Sequence, residues 1–371
     1  MDLTTTKQHT SLKEIALLFG KLGIIGFGGP AVHIAMMEDE VVRRRQWLTA
    51  EHFLDLVGAT NLIPGPNSTE MTMHIGRERA GWKGLIVAGA CFIFPAVIIT
   101  SLFAWGYQQY GNLPEVAPLL YGIKPAIIAV IISAMLSLGK KAVKSIELGI
   151  IGALCAIACL VGINEIAVLF GAGIIGILFH LLKKSNNSFK SIIPLAIPFT
   201  AGKLFWVFLK IGSILYGSGY VLFALLDQEL VSTGVLTRRT LIDAIAVGQF
   251  TPGPVFSAAT FIGWQIEGLQ GAIAATIGIF LPSFLFVALL NPLIPRLRSS
   301  KIMAAFLDTV NVASIAIIAA VCVTMIQASV QDWRTLVIGV ASLVITVRFR
   351  NINTAFIVAG GACLGYILYR L

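Results

Sequence analysis

The chain has 371 residues, 57% of them hydrophobic and only 12% charged, with a mean hydropathy of +0.88. A soluble domain carries roughly 25% charged residues, so there is too little polar material here to cover soluble domains of this total length. A soluble enzyme, a disordered chain and a nucleic-acid-binding protein are excluded, because the net charge of +9 sits in short loops between apolar runs; a polytopic membrane protein remains.

In chain order, the polar start MDLTTTKQHTSLKE has no cleavable signal pattern. Segment 12–37 reads as a broken spanning helix, interrupted at Phe27-Gly28-Gly29-Pro30, and 51–76 as a re-entrant hairpin bent at Pro64-Gly65-Pro66. Apolar runs follow at 84–107, 116–139, 146–163 and 165–182, several approaching the ~20 residues a spanning helix needs. The low-complexity stretch Lys183–Lys190 opens a linker over 183–202. Beyond it come a second broken segment (203–226), a second hairpin (239–264) bent at Pro252-Gly253-Pro254, and runs at 268–291, 303–328, 335–349 and 353–369.

The two halves, 1–182 and 203–371, are copies. At an offset of 189, Lys21, Gly23, Gly28 and Glu40 fall on Lys210, Gly212, Gly217 and Glu229. At 188, Leu48, Thr49, Asp55 and Pro64-Gly65-Pro66 fall on Leu236, Thr237, Asp243 and Pro252-Gly253-Pro254. At 187, Gly76, Gly81, Gly84, Pro95 and Ala126 fall on Gly263, Gly268, Gly271, Pro282 and Ala313. Positive charge alternates in opposite phase in the two copies. Loop 108–115 lacks Lys and Arg where 292–301 carries Arg296, Arg298 and Lys301, and loop 140–144 carries Lys140, Lys141 and Lys144 where 327–333 has none. The positive-inside rule then inverts the halves relative to each other. Arg238 and Arg239 are the exception. The expected fold is an all-α tandem inverted repeat, each half with a broken spanning helix, a re-entrant Pro-Gly-Pro hairpin and about four spanning helices.

Pro-Gly-Pro inside an apolar segment cannot continue a helix, and non-helical backbone at membrane depth survives only when buried in protein or lining a wet cavity. The helix that restarts behind each break has N–H groups without intrahelical partners, and with its positive dipole end it forms an anion site. Pro64, Gly65, Pro66, Asn67, Ser68 and Thr69 in the first copy, and Thr251, Gly253 and Ser257 in the second, are therefore candidate substrate-binding residues. Gly28 and Gly29, matched by Gly217 and Ser218, mark the other pair of breaks. Lys21 and Lys210 sit inside apolar stretches, where a charge costs at least ~2.5–3.5 kcal/mol and usually marks a substrate path; snorkelling to the interface is the alternative. The duplicated Glu40/Glu229 and Asp55/Asp243 are candidate coupling groups, with pairing to loop arginines as the rival. His33 and His74 flank the breaks without counterparts. Five cysteines in apolar runs, with no paired spacing, form neither a disulfide framework nor a metal site. No metal and no cofactor is expected, nor any nucleophile for an enzyme.

The stretch FGGPAVHIAMMEDEVVRRRQWLTAEHFLDLVGATNLIPGPNSTEMTMHIGRERAGWKG resembles the signature region of the chromate ion transporter family. The second copy, from YGSGYVLFALLDQEL through FTPGPVFSAATFIGWQIEGLQG to FLPS, is similar to that family's C-terminal half, with FGGP replaced by YGSG. The resemblance implies a multi-pass protein of the cytoplasmic membrane that exports chromate, a sulfate-like dianion. The partners it implies are the oxyanion and the lipid bilayer, with a homodimer compatible and no nucleic acid. Sulfate or another anion is the alternative substrate.

Overall fold

The computed structural model describes residues 10–27, 29–111, 113, 115–182, 201–216, 219–290, 300–330, 332–349 and 352–369, and every regular element among them is helical. Gly28, Gly217, Ser218, the Lys183–Lys190 stretch and most of the linker lie outside the described residues. The first repeat runs α1 (Leu12–Ile25), α2 (Pro30–Glu38), α3 (Ala50–Thr60), α4 (Asn67–Tyr110), α5 (Ala117–Ala142), α6 (Ile146–Leu160) and α7 (Glu165–Leu182). The second runs α8 (Ala201–Ile214), α9 (Val221–Leu226), α10 (Arg238–Phe250), α11 (Ala258–Leu290), α12 (Lys301–Ser329), α13 (Trp333–Arg348) and α14 (Thr354–Leu368).

The duplication in sequence becomes a duplication in local structure. Thr49 and Thr237 occupy equivalent N-caps, accepting from the backbone N–H of His52 (3.2 Å) and Thr240 (3.1 Å), contacts worth ~1 kcal/mol each. The π-helical turns Asp39–Arg44 and Asp227–Val231 also fall at matching places. Within α4 and α11 the chain reverses at Gly81 (φ 60°, ψ −146°) and Gly268 (φ 57°, ψ −143°), a left-handed conformation that glycine enters without Cβ strain. After each reversal the backbones of Gly76 and Gly84, and of Gly263 and Gly271, pack so closely that a Cβ on any of them would meet main-chain atoms. Thus 67–79 and 82–110 are separate helices that run back to back.

The segment 12–37 does not form the broken spanning helix expected from sequence. A straight helix would put residues 21 and 40 roughly 28 Å apart at 1.5 Å per residue, yet Lys21 Nζ lies 3.0 Å from Glu40 Oε1 and Arg45 Nη1 lies 3.1 Å from Glu14 Oε1. The glycine break reverses the chain instead of kinking it, so α1 and α2 form a hairpin whose tip includes Gly26, Phe27 and Gly29. The second repeat repeats this, with Lys210 Nζ on Glu229 Oε1 at 2.6 Å. The Pro-Gly-Pro segment is a hairpin too: His52 Nε2 lies 3.8 Å from Glu78 Oε2, bringing the two ends of 50–79 together. Arg79 ties both hairpin bases, donating to Thr10 Oγ1 (2.7 Å) and the Trp47 carbonyl (3.3 Å).

Equivalent helices of the two repeats run antiparallel. On α4 and α11, Gly89 approaches Phe284 while Ala104 accepts from Gln265 (2.9 Å); on α5 and α12, Gly139 approaches Ile315 and Lys144, just past α5, meets Asp308 (2.7 Å). The outer helices are exchanged: α13 and α14 pack on α5, and α6 and α7 pack on α12. Four helical stretches among the described residues are long and apolar enough to cross a membrane: Asn67–Tyr110 and Val255–Leu289, each counted across its reversal, with Ala117–Ala142 and Lys301–Ser329. Exposed Phe94, Leu102, Leu285, Leu289, Phe356 and Ile367 form the apolar exterior that a bilayer solvates.

Candidate functional site

Four hairpin tips meet at the centre, and they meet crosswise. The N–H of Gly65, in the first Pro-Gly-Pro, donates to the carbonyl of Leu215 at the second repeat's α8–α9 tip (2.9 Å). The N–H of Gly253, in the second Pro-Gly-Pro, donates to the carbonyl of Gly26 at the first repeat's α1–α2 tip (2.8 Å). Gly26 and Leu215 are themselves equivalent at the offset of 189. His33 Nε2 adds a second contact to the Gly26 carbonyl at 2.9 Å. Each proline-bounded glycine has the positive φ that its turn demands, 139° at Gly65 and 87° at Gly253. A Cβ on Gly65 would collide with the Glu70 carboxyl and the Ser283 hydroxyl, and one on Gly253 would lie 2.8 Å from Ala96 Cβ. Ala96 and Ser283 are again equivalent, at offset 187.

Behind each break a helix starts without a side-chain cap. Thr69 and Glu70 donate their N–H groups to Pro66, and Ser257 to Pro254. The side chains of Ser68, Thr69, Thr251 and Ser257 are buried, and the hydroxyls of Thr69, Thr251 and Ser257 have no hydrogen-bond partner, while that of Ser283 faces the Glu70 carboxyl. Buried hydroxyls are normally paired, so such a group of unused donors is suited to an acceptor-only ligand. Asn67 differs: it is half-buried and its amide donates to Asn61 Oδ1 (2.8 Å). Pro64 and Pro66 are buried in the turn, and Gly29 opens α2 with φ 82°.

The other sequence candidates lie elsewhere. Lys21 and Lys210 are about half exposed, at 52% and 45%, with their ammonium groups on Glu40 and Glu229. Glu40 also meets Arg44 and Arg45. The two duplicated sets, lysines and glutamates, are thus one duplicated ion pair. Asp55 is exposed, whereas its counterpart Asp243 is buried, accepting from Tyr107 Oη (2.7 Å) and lying 3.3 Å from Lys124 Nζ. Lys124 and Tyr107 come from the first repeat, so this cluster joins the halves. Thr251 closes α10 one residue before the break.

Glu70 is the residue that sequence reasoning missed. It is fully buried, has no ion pair, and faces the Ser283 hydroxyl. The signal was present, since it directly follows Pro-Gly-Pro-Asn-Ser-Thr, but the positions matching it in the second copy are Ser257 or Ala258, so a search for duplicated charges passes over it.

Two cavities with mixed polar and apolar walls lie at opposite ends of α5. One, of about 870 Å³, is lined by Phe27 and Tyr220 next to the α1–α2 and α8–α9 tips, by Ser133 and Ser137, and by Lys140 and Lys141. The other, of about 260 Å³, is lined by Lys124, Arg239, Tyr121 and Ser329. Arg238, the other exception to the loop-charge pattern, is neutralised by a two-pronged pair with Asp227 at 3.0 and 2.9 Å. A third groove of about 750 Å³, with Leu102, Phe103, Phe250 and Val358 among its walls, is almost wholly apolar and suits acyl chains better than an anion.

A helical bundle of two interlocked copies, apolar outside and lined at its centre by unused polar donors, defines a multi-pass membrane transporter. The family model described as chromate transporter matches residues 13–177 and 202–366, so both copies are covered. The chain belongs to the chromate transporter family, whose members are transporters and not enzymes. It is 27% identical to the chromate transport protein of Cupriavidus metallidurans over 97% of this chain and 94% of that one. It is 28% identical to a probable chromate transport protein of Synechococcus elongatus, over 90% and 89%. An uncharacterized transporter of Methanocaldococcus jannaschii is 26% identical over 99% and 97%. No solved structure matches.

Proposed function

We propose that the protein exports chromate, or a sulfate-like oxyanion, across the cytoplasmic membrane, and that the two Pro-Gly-Pro breaks bind the dianion. The observation that carries this reading is the set of buried, unpartnered hydroxyls of Thr69, Thr251 and Ser257 around helix starts that have no side-chain cap. An oxyanion is all acceptor; hydroxyls and N-terminal N–H groups are donors, and the helix dipole favours negative charge there. The glycine N–H groups are spent on the crosswise lock, which leaves the N–H groups of Asn67 and Ser68, and of Val255 and Phe256, as the backbone donors.

The two hairpins of each half are re-entrant in this reading, and the halves are inverted in the membrane, as the antiparallel α4/α11 and α5/α12 pairs support. Lys140 and Lys141 then draw anions into the larger cavity from the cytoplasm. Lys124 and Arg239 receive them at the other face, with Asp243 neutralising Lys124 while the path is closed. Arg239 there breaks the positive-inside pattern for a functional reason. In a cell negative inside, moving a dianion outward is downhill by about 4.6 kcal/mol per 100 mV, at about 2.3 per charge.

Inside-out vesicles test the reading. Labelled chromate and labelled sulfate, supplied separately and then in competition, should accumulate only with the protein present and only for the true substrate. Absence of flux for both, with carboxylates also excluded, would end the oxyanion assignment.

A further inference from the structure

Resting on the oxyanion reading, we propose that Glu70 is a proton-carrying group of the first break, and that each anion passing the site moves together with one proton. Three carboxyl groups are buried among the described residues: Glu40, Asp243 and Glu70. Glu40 is held by Lys21, Arg44 and Arg45, and Asp243 by Lys124 and Tyr107. Glu70 alone has no ion pair: its two oxygens are fully enclosed, and the hydrogen-bonding group beside them is the Ser283 hydroxyl.

Its position makes this consequential. Glu70 lies in the first turn of the helix that begins at Asn67, and its Oε1 and the Ser283 hydroxyl crowd the same space beside Gly65. An ionised carboxylate there is itself an anion at the helix N-terminus. A dianion and that carboxylate repel each other across a site of low dielectric, where like charges interact strongly. The anion therefore occupies the break when Glu70 has taken up a proton from the side the anion enters. Once the anion leaves on the other side, the carboxyl releases that proton to the same side and returns ionised, so it must be protonated afresh before the next anion binds. In the neutral form the carboxyl has a donor O–H for the ligand or for Ser283 Oγ, the hydroxyl that faces it. The titratable groups facing it are the Tyr216 phenol from the opposing break and, one turn along its own helix, His74. No cation reaches it among the described residues. The second break has Ser257 and Ala258 at the matching positions and Ala96 in place of Ser283, so it carries no such group. Coupling is thus a property of one repeat. Charge balance follows: a dianion with one proton moves one net negative charge outward instead of two.

The test uses the full chain in proteoliposomes with a pH-sensitive dye in the lumen and chromate at alkaline pH, where chromate is the dianion. Wild-type flux should carry one proton per anion, slow as the pH rises, and show a zero-flux potential that moves with an imposed pH difference. Glu70→Gln keeps the neutral shape without a titrating proton. It should transport with no proton flux, lose the pH dependence that distinguishes it from the wild type, and have a zero-flux potential blind to the pH difference. If Glu70→Gln retains the wild-type proton count, the assignment to Glu70 is overturned. If the variant does not fold, the wild-type zero-flux potential still decides, because a value unmoved by the pH difference overturns proton coupling. Wild-type vesicles that move no oxyanion at all would sink the transport reading itself, a separate outcome from flux without protons.

Discussion

Gly253 donates its backbone N–H to the carbonyl of Gly26, 2.8 Å away in the other repeat, and Gly65 makes the equivalent bond to Leu215 at 2.9 Å. These two bonds tie four chain reversals into one unit. Each uses an N–H that a Pro-Gly-Pro turn would otherwise leave unpaired, and each satisfies a carbonyl freed by a helix that stops mid-protein. The breaks are consequently rigid and pre-formed, which lowers the ordering cost of binding an anion.

The hydroxyls around those breaks should matter by increments. Thr69→Val and Ser257→Ala each delete an unpaired buried hydroxyl and leave the backbone donors in place. At about 0.5–1.5 kcal/mol for a neutral hydrogen bond, each should raise the KM for the anion about 2- to 13-fold with little change in expression. Initial-rate flux at graded anion concentration measures this, and an unchanged KM in both variants would remove the hydroxyls from the site.

Lys21 and Lys210 reach glutamates instead of the breaks, with half-exposed side chains. The lysine ends are exposed, and the buried Glu40 keeps Arg44 and Arg45 when Lys21 is removed, so losing the lysine costs about 0–1 kcal/mol. Lys21→Met, Glu40→Gln and the double variant should therefore have similar, near-normal flux. A severe loss in Lys21→Met that persists in the double variant while Glu40→Gln stays near normal would return the lysine to the anion path.

The Lys124–Asp243 pair is different in kind, because Asp243 is only 1% exposed. Removing one partner of a buried pair costs about 3–5 kcal/mol, while replacing both by neutral residues costs much less. Lys124→Met should lower the melting temperature in detergent, and Lys124→Met with Asp243→Asn should recover most of it. Flux in the recovered double variant should still be reduced, since Lys124 also lines the smaller cavity. Additive destabilisation by the two changes would show that the pair is not coupled.

Topology has its own check. Cysteines placed at 111, 113 or 330 should label from outside, and those at 141, 142 or 144 should not. Labelling of 142 and 330 from the same face would contradict inversion of the halves.

Much of the architecture was legible because the duplication shows in unusual residues. Glycine and proline positions such as Gly81/Gly268 and Pro95/Pro282 aligned the copies, and the apolar runs fixed the helices that follow. The α1–α2 reversal was not legible. Its 12–37 stretch has the length and apolarity of one span, and a Gly-Gly-Pro break is compatible with a kink or a turn; the Lys21–Glu40 and Arg45–Glu14 contacts decide. The crosswise bonds also escaped notice, since they join backbone atoms nearly two hundred residues apart. The pairing of Lys124 with Asp243 was not legible for the same reason of distance, although Asp243 itself stood out as half of a duplicated carboxylate. Glu70 escaped because weighting residues by duplication favours Lys21 and Glu40, which proved to hold each other, over a carboxyl found in one copy alone.

The central claim is that the locked Pro-Gly-Pro turns are the place where the anion crosses, and Gly65→Val with Gly253→Val tests it most directly. Both glycines have φ values that a β-branched residue resists, and both added side chains would enter space held by Glu70 and Ser283 or by Ala96. Potential-driven chromate flux into inside-out vesicles, measured at matched amounts of folded protein, should be lost in each variant; wild-type flux in Gly65→Val would contradict the account.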